Sequence, residues 1–394
     1  MNTWHIITCE YPPQLGGVSD YTQLVADGLT EAGDEVHVWC PQPEVGGLRS
    51  AHGKTNNDVT NSAAVIEHSE PGSFSRADLR RVGKLLDKFP GPRRLLVQWV
   101  PHGYGYRAMN LHFCLWLWQR ARRGDRVEIM VHEPYLAFWE GSWRQNGVAL
   151  VHRLMTMILL RAASRVWMSI PAWENCWRPY ALGRRTEFKW LPVPSNIPVI
   201  DNPASVENVR AQYVGRDKLL VGHFGTHEAN TATLLLGAVP QLLQDGQPNS
   251  VLLMGQGSEA TRRQLLELRP EFATRVHATG ALTAELLSLH VSACDLMLQP
   301  YIDGVSSRRT SAMVGLSHGL AVITTNGRLT EPLWSQTGAV VLTPAGDAGA
   351  LARETAGLLA NDSERVRLGR AAAALYRERF AIEHTVLSLR SVRA

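Results

Sequence analysis

The chain has 394 residues, 45% of them hydrophobic and 19% charged, with 33 Gly and 21 Pro. That composition excludes a disordered, collagenous or coiled-coil protein, and the length allows roughly two or three domains. Forty basic residues against 36 acidic ones leave a formal charge of +4, too mild to demand nucleic acid or a membrane yet compatible with a local anion site.

Residues 4–8 read as a strand. Tyr21, Leu24, Val25 and Leu29 then recur at helical spacing, with Ser19 or Asp20 placed to cap and Gly33 to end the helix. A strand at 35–39 precedes a Gly-, Asn-, Ser- and Thr-rich loop at 42–62, and further strands fall at 95–99, 127–131 and 165–168. Pro192, Pro194, Pro198 and Pro203 mark 191–204 as a linker. The alternation restarts beyond it, with strands at 219–224, 251–254, 295–298, 321–324 and 339–342 separated by helical patterns. Two such series imply an α/β chain of two doubly wound, Rossmann-like domains facing a central cleft. The expected division is 1–197, 198–375 and a C-terminal helix, 376–394, crossing back to the first domain; the amphipathic stretch 382–389 motivates the last.

The most apolar run near the middle, 154–160, is broken by Thr156 and flanked by Arg153 and Arg161. A spanning helix needs about 20 apolar residues, so none is expected. The N-terminus lacks the basic-then-apolar pattern of a secretory signal. Cys9, Cys40, Cys114, Cys176 and Cys294 are scattered, without CxxC spacing. Neither a disulfide framework nor a structural zinc is expected, and a reducing cytoplasm suits them.

In doubly wound domains ligands bind beyond the carboxyl ends of strands, so the chemistry is sought in the loops there. The first such loop, 10–18, holds Gly16-Gly17 before a helix, where a phosphate can approach backbone N–H groups; a tight turn is the plainer reading. It has neither GxGxxG nor GxxxxGK[ST], which argues against a nicotinamide enzyme or a P-loop ATPase. His132-Glu133-Pro134 follows a strand, and such a histidine can hydrogen-bond a sugar hydroxyl or simply satisfy a buried partner. The loop 301–310 is the strongest: Asp303, Gly304, Val305, Ser306, Ser307, Arg308 and Arg309 open a helix. Hydroxyls and guanidinium forks at a helix N-terminus make a candidate diphosphate site, and Asp303 can accept from sugar hydroxyls. Gly225-Thr226 and Gly255-Gln256-Gly257 are Gly-bearing turns that either admit a nucleotide or merely turn the chain. Two basic-aromatic segments, 111–123 and 150–161, are compatible with a membrane surface, but their place between strands reads as crossover helices.

With these loops in hand, the chain resembles the retaining glycosyltransferases of family 4, which have the GT-B fold. Glu10-Tyr11-Pro12-Pro13 with Gly16-Gly17-Val18 and Tyr21 is similar to the family's opening motif. Pro194-Ser195-Asn196 resembles its "PNG" turn, Met254-Gly255-Gln256-Gly257 its "vGdG" turn, 319–323 its "GtPVv" segment, and 327–331 its "GGxpE" segment ending at Glu331. The resemblance implies a nucleotide-diphosphate-sugar donor held by the second domain. Gly16, Gly17, Gly225, Thr226, residues 304–309 and Glu331 fall on the donor side, with His132 at the donor sugar. A sugar, glycan or lipid-linked acceptor would be held by the first domain, with Tyr11 and Glu133 on that side. It further implies a cytoplasmic enzyme, compatible with peripheral contact at the inner membrane face, with no metal, no further cofactor and no nucleic-acid partner.

Departures from the family pattern bear on mechanism. The family's Glu-x7-Glu is missing: counting back from Gly319 puts Ser306 and Val314 at those positions, and counting forward from Pro300 puts Gly304 at the first, beside Asp303. The family's basic pair after the second domain's first strand is missing too, since Thr226 follows Gly225. Arg308 and Arg309 are expected to replace that pair, and Asp303 the first glutamate. Competing readings are a catalytically weak sugar-nucleotide-binding partner subunit, and a GT-B epimerase or phosphorylase.

Overall fold

Parallel strands that alternate with helices bury both sheet faces, so their central strands are nearly continuous apolar runs. The computed structural model describes residues 1–14, 16–41, 64–105, 108–139, 142–215, 218–244 and 249–391; the loop expected at 42–62 lies outside them. The chain forms two units. The first, Met1–Pro192 with Ile382–Ala394, contains β1 (Thr3–Ile7), α1 (Gly17–Glu31), β2 (Glu35–Trp39), β3 (Ile66–His68), α2 (Arg76–Leu86), β4 (Arg94–Trp99), α3 (Leu111–Arg122), β5 (Arg126–Val131), α4 (Trp143–Ala162), β6 (Ala163–Met168), α5 (Ala172–Trp177) and β7 (Glu187–Trp190). Its seven-stranded parallel sheet has the order β3-β2-β1-β4-β5-β6-β7.

The second unit, Val193–Ala381, runs through α6 (Pro203–Ala211), β8 (Leu220–Phe224), α7 (Ala229–Gln244), β9 (Ser250–Met254), α8 (Ser258–Leu268), β10 (Val276–Ala278), α9 (Ala284–Ser292), β11 (Leu296–Gln299), α10 (Thr310–Ser317), β12 (Ala321–Asn326), α11 (Pro332–Gln336), β13 (Val341–Pro344), α12 (Ala348–Leu359) and α13 (Asp362–Leu375). Its six parallel strands have the order β10-β9-β8-β11-β12-β13. The core includes Val221, Leu253, Leu298 and Ile323 from the strands, and Leu235, Leu265 and Leu351 from the helices. The last helix, α14 (Ile382–Arg390), belongs to the first unit. Arg390 pairs with Asp34 at 3.0 Å, and Arg94 donates to the Leu389 carbonyl.

The units divide after Pro192 and after Ala381, a few residues from the boundaries at 197 and 375 read from the sequence. Val193 N–H donates to the Ser307 carbonyl at 2.9 Å, and Ser195 N–H to the Tyr376 hydroxyl at 3.2 Å. Phe380 stacks on Trp334.

Strands β3, β7 and β10, of three, four and three residues, were not among the sequence expectations. Each is a sheet edge, too short to develop an alternating pattern. Both basic-aromatic segments lie on crossover helices. α3 buries Phe113, Cys114, Leu117 and Arg120, and α4 buries Ala149, His152, Met155 and Leu159. Among the described residues, no helix is long and apolar enough to cross a membrane.

A histidine group closes the β1–β2–β3 side of the first sheet. Trp39 Nε1 donates to His5 Nδ1 at 3.3 Å, His5 stacks on His37, and His37 Nδ1 lies 2.9 Å from His68 Nε2. Burial, then His37, His68, Arg93 and Arg120, lowers the His5 pKa to about 3 from an ordinary 6.5. In the second unit burial, then His227, lowers His223 to about 3. Both are neutral when folded, while the unfolded chain binds a proton near pH 6.5. Stability is therefore full above that pH and falls as the pH drops toward the folded values, by about 2 kcal/mol per histidine at ~pH 5. Urea melts across this window should show the loss, with a shallower slope in His5→Gln. A level profile would contradict buried neutral imidazoles.

Candidate functional site

A doubly wound sheet opens a crevice where strand order reverses. In the second unit that point lies between β8 and β11, and in the first between β1 and β4. The loops leaving those strands are therefore the ones able to meet a ligand.

In the second unit the loop after β11 is locked onto the loop after β12. Val305 N–H donates to the Thr325 carbonyl at 2.8 Å, Leu329 N–H to the Asp303 carbonyl at 2.9 Å, and Tyr301 N–H to Thr325 Oγ1 at 2.9 Å. Gly304 has φ +83, in the left-handed region, and a Cβ there would strike Thr330 Oγ1 and the Gly327 amide nitrogen. A Cβ on Gly327 would lie 2.6 Å from the Asp303 carbonyl. Only glycine fits either position.

This interlock gathers three guanidinium groups around Asp303. Arg328 Nη2 is 3.5 Å from Oδ1, and Arg308 Nη2 and Arg309 Nη2 are each 3.9 Å from Oδ2. Three guanidinium groups and one carboxylate therefore stand at the start of α10. The helix end adds positive potential there. Arg309 is steadied by the Tyr301 ring, 4.8 Å from its guanidinium carbon, and its buried Nε has no hydrogen-bond partner. Asp303, Arg308 and Arg309 are thus brought together. Arg328 was missed, although it stands within the "GGxpE"-like segment that carries Glu331.

The neighbouring candidates are mostly internal supports. Glu331 is buried, and its Oε1 accepts from the Ser307 amide at 3.0 Å and from the Ser307 hydroxyl. Its Oε2 accepts from Trp334 Nε1 at 2.7 Å. Glu331 therefore clamps the arginine loop. Val305 and Ser306 are fully buried, and the Ser306 hydroxyl has no partner. Gly225 and Thr226, in the turn after β8, pack against the turn after β9. Gly225 N–H donates to the Met254 carbonyl at 3.1 Å, and a Cβ on Gly255 would strike the Gly225 carbonyl oxygen. Backbone packing thus accounts for Gly255.

In the first unit, Glu10 does what Ser19 and Asp20 were expected to do. Its Oε1 accepts from the Val18 and Ser19 amides at 3.0 Å, while Ser19 itself lies inside α1. Burial nevertheless raises the Glu10 pKa. A Cβ on Gly16 would occupy the place of this carboxylate; one on Gly17 would meet nothing within 4 Å. Tyr11 is buried, and its burial raises the phenol pKa, so it packs rather than faces outward.

His132, at the end of β5, donates from Nε2 to Gln98 Oε1 at 2.8 Å and meets the Tyr21 ring edge-on at 4.9 Å. Burial lowers its pKa to about 3, so the imidazole is neutral. Gln98, fully buried at the end of β4 with its Nε2 lacking a partner, was not anticipated: inside an apolar strand it reads as one polar interruption. Glu133 faces His102 at 3.5 Å. Among the described residues, no group of three or more His, Cys, Asp or Glu is placed to hold a metal ion.

Residues 216–361, within the second unit, match the family model described as Glycosyl transferases group 1. Solved structures resemble the whole chain. A sucrose-phosphate synthase from Thermosynechococcus elongatus is 17% identical with a TM-score of 0.72, over 99% of this chain and 98% of that one. Anabaena HepE, crystallised with UDP, is 14% identical with a TM-score of 0.67, over 99% of each chain. A trehalose 6-phosphate synthase from Burkholderia multivorans is 13% identical with a TM-score of 0.63, over 99% of this chain and 97% of that one. The likeness establishes the fold, GT-B, with two Rossmann-like domains. No curated protein matches the chain significantly in sequence.

The glycine pair separates two roles. Gly16→Ala should displace the Glu10 carboxylate from its amides and destabilise the protein by about 1–2 kcal/mol, the loss of a helix cap. Gly17→Ala should stay within about 0.5 kcal/mol of the parent. Equal losses in urea melts would contradict the Glu10 cap.

Proposed function

We propose that the protein is a retaining glycosyltransferase that moves a sugar from a nucleotide-diphosphate sugar to an acceptor hydroxyl. The observation that carries this reading is the cluster of Arg308, Arg309 and Arg328 around Asp303. It lies at the switch point of a unit that matches the Glycosyl transferases group 1 model, and Anabaena HepE, of similar fold, was crystallised with UDP-glucose. The second unit holds the donor and the first the acceptor.

In this reading the transition state concentrates charge on the departing diphosphate. Preorganised guanidinium forks and the α10 amides stabilise it without reorganising. Asp303 is the hub around which the arginines gather; its 3.5–3.9 Å separations leave room for them to tighten onto a stronger anion. Attack comes from the face the diphosphate leaves, and the leaving phosphate takes the acceptor proton, so no side-chain nucleophile is needed. His132, neutral and oriented by Gln98, hydrogen-bonds a sugar hydroxyl without adding charge. The arginines take the place of a metal, and activity should survive a chelator.

A second reading, a sugar-nucleotide-binding partner subunit, is favoured by the missing Glu-x7-Glu, whose positions fall on Ser306 and Val314, or on Gly304 for the first, none of them a glutamate. A donor screen by thermal shift, followed by transfer and hydrolysis assays, separates the two. Arg308→Ala and Arg309→Ala should each lower the transfer rate roughly thirty- to a thousandfold, with Arg→Lys recovering part. The more exposed Arg328→Ala should lose less. Full activity in both Arg308→Ala and Arg309→Ala would overturn the reading. Donor binding by the parent protein without transfer or hydrolysis would favour the partner subunit.

A further inference from the structure

We propose that a groove between α8 and the edge strand β10 of the second unit binds a neutral glycan chain, at a site separate from the arginine cluster. Tyr213, Glu259, Arg262, Arg263, Glu267 and His277 are among the residues lining a cavity of about 760 Å³, a volume typical of ligand pockets. β10 closes one side of the sheet, with β9 and β8 between it and β11. The loops that carry Asp303 and Arg328 therefore lie elsewhere on the same unit.

One wall follows from the helix period. Glu259, Arg263 and Glu267 are four residues apart on α8 and share a face. They alternate carboxylate, guanidinium, carboxylate at intervals of about 5–6 Å, over about 12 Å of helix. Among the described residues, none of the three is in an ion pair.

The opposite side is held in place. Arg262 Nε donates to the Val276 carbonyl at 2.7 Å, and its Nη2 to the Ala273 carbonyl at 3.3 Å. The Tyr213 hydroxyl meets His290 Nε2 at 3.2 Å, and its ring lies 5.2 Å from that of His277. His277 is hydrogen-bonded to the Tyr213 backbone, while its buried Nε2 has no partner in the protein. A buried polar atom left over at a cavity wall is one that a ligand can satisfy.

The chemistry of this lining selects its occupant. Carboxylates accept and guanidinium groups donate, so an alternating wall serves hydroxyls, which do both. A tyrosine ring fixed by its neighbours offers a flat apolar face to the C–H side of a pyranose. Burial, then Arg262, lowers the His277 pKa from 6.5, so the imidazole is neutral and bonds a hydroxyl without adding charge. Two guanidinium groups beside two carboxylates favour a neutral ligand over an anion. A peptide strand fits poorly, because Arg262 already takes the Val276 carbonyl at the sheet edge. The interval along α8 is close to the repeat of successive rings in an extended oligosaccharide.

The test is saturation-transfer NMR and affinity gel electrophoresis of the full chain with maltotetraose, cellotetraose, laminaritetraose and mannotetraose. At least one should bind. Tyr213→Ala should weaken that binding on the order of tenfold, while Tyr213→Phe keeps the ring and should bind as the parent does. Arg263→Gln and Glu267→Gln, at exposed positions that leave the fold intact, should each weaken it roughly fivefold. Arg308→Ala should bind the tetrasaccharide unchanged. No binding by the parent to any of the four, or binding that the Arg263 and Glu267 variants leave undiminished, would overturn the proposal. So would Tyr213-dependent binding of uridine or adenosine with no tetrasaccharide bound, because the groove would then take a nucleobase. Glycan binding needs no donor and no turnover, so its outcome is independent of the transferase reading.

Discussion

Where Gly304 meets Gly327, two backbones pass so closely that neither position admits a side chain. The loop after β11 and the loop after β12 are held as one body by this approach and by the Val305–Thr325 and Leu329–Asp303 hydrogen bonds. Because the interlock fixes Asp303 and Arg328 relative to each other, the arginines form a cluster rather than three independent surface charges. The Glu331 clamp on Ser307 and Trp334 braces the same loop from beneath. Three like charges converging without a partner would be unfavourable. Asp303 makes the arrangement tolerable.

The two units use the start of a helix differently. At α10 the helix end stands beside Arg308, Arg309 and Asp303. At α1 the Glu10 carboxylate already takes two amides. An anion approaching Gly17 would therefore share that end with a resident carboxylate. This accords with the proposal that the second unit holds the diphosphate and that the first, with neutral His132, handles hydroxyls.

Both sheets and the crossover pattern were legible in the sequence because central strands such as β4 and β5 are largely apolar. The edge strands were not: β3 is Ile-Glu-His and β7 is Glu-Phe-Lys-Trp, partly exposed and without an apolar run. The Asp303–Arg309 loop stood out by composition, since hydroxyls and paired arginines beyond a strand are conspicuous. Arg328 and Gln98 did not, because each acquires its meaning from a neighbour far away in sequence. Glu10 was quoted only as part of a motif; that it caps the helix eight residues later depends on how the intervening loop folds back.

The central claim is that the arginine cluster is a diphosphate site. Calorimetric titration of the common nucleoside diphosphates, each against its own nucleoside, tests it without requiring turnover. At least one diphosphate should bind on the order of a hundredfold more tightly than its nucleoside, the worth of two charge-assisted contacts. That difference should collapse when Arg308, Arg309 and Arg328 are all replaced by alanine. Equal affinities for diphosphate and nucleoside in the parent protein, or an undiminished difference in the triple variant, would contradict the account.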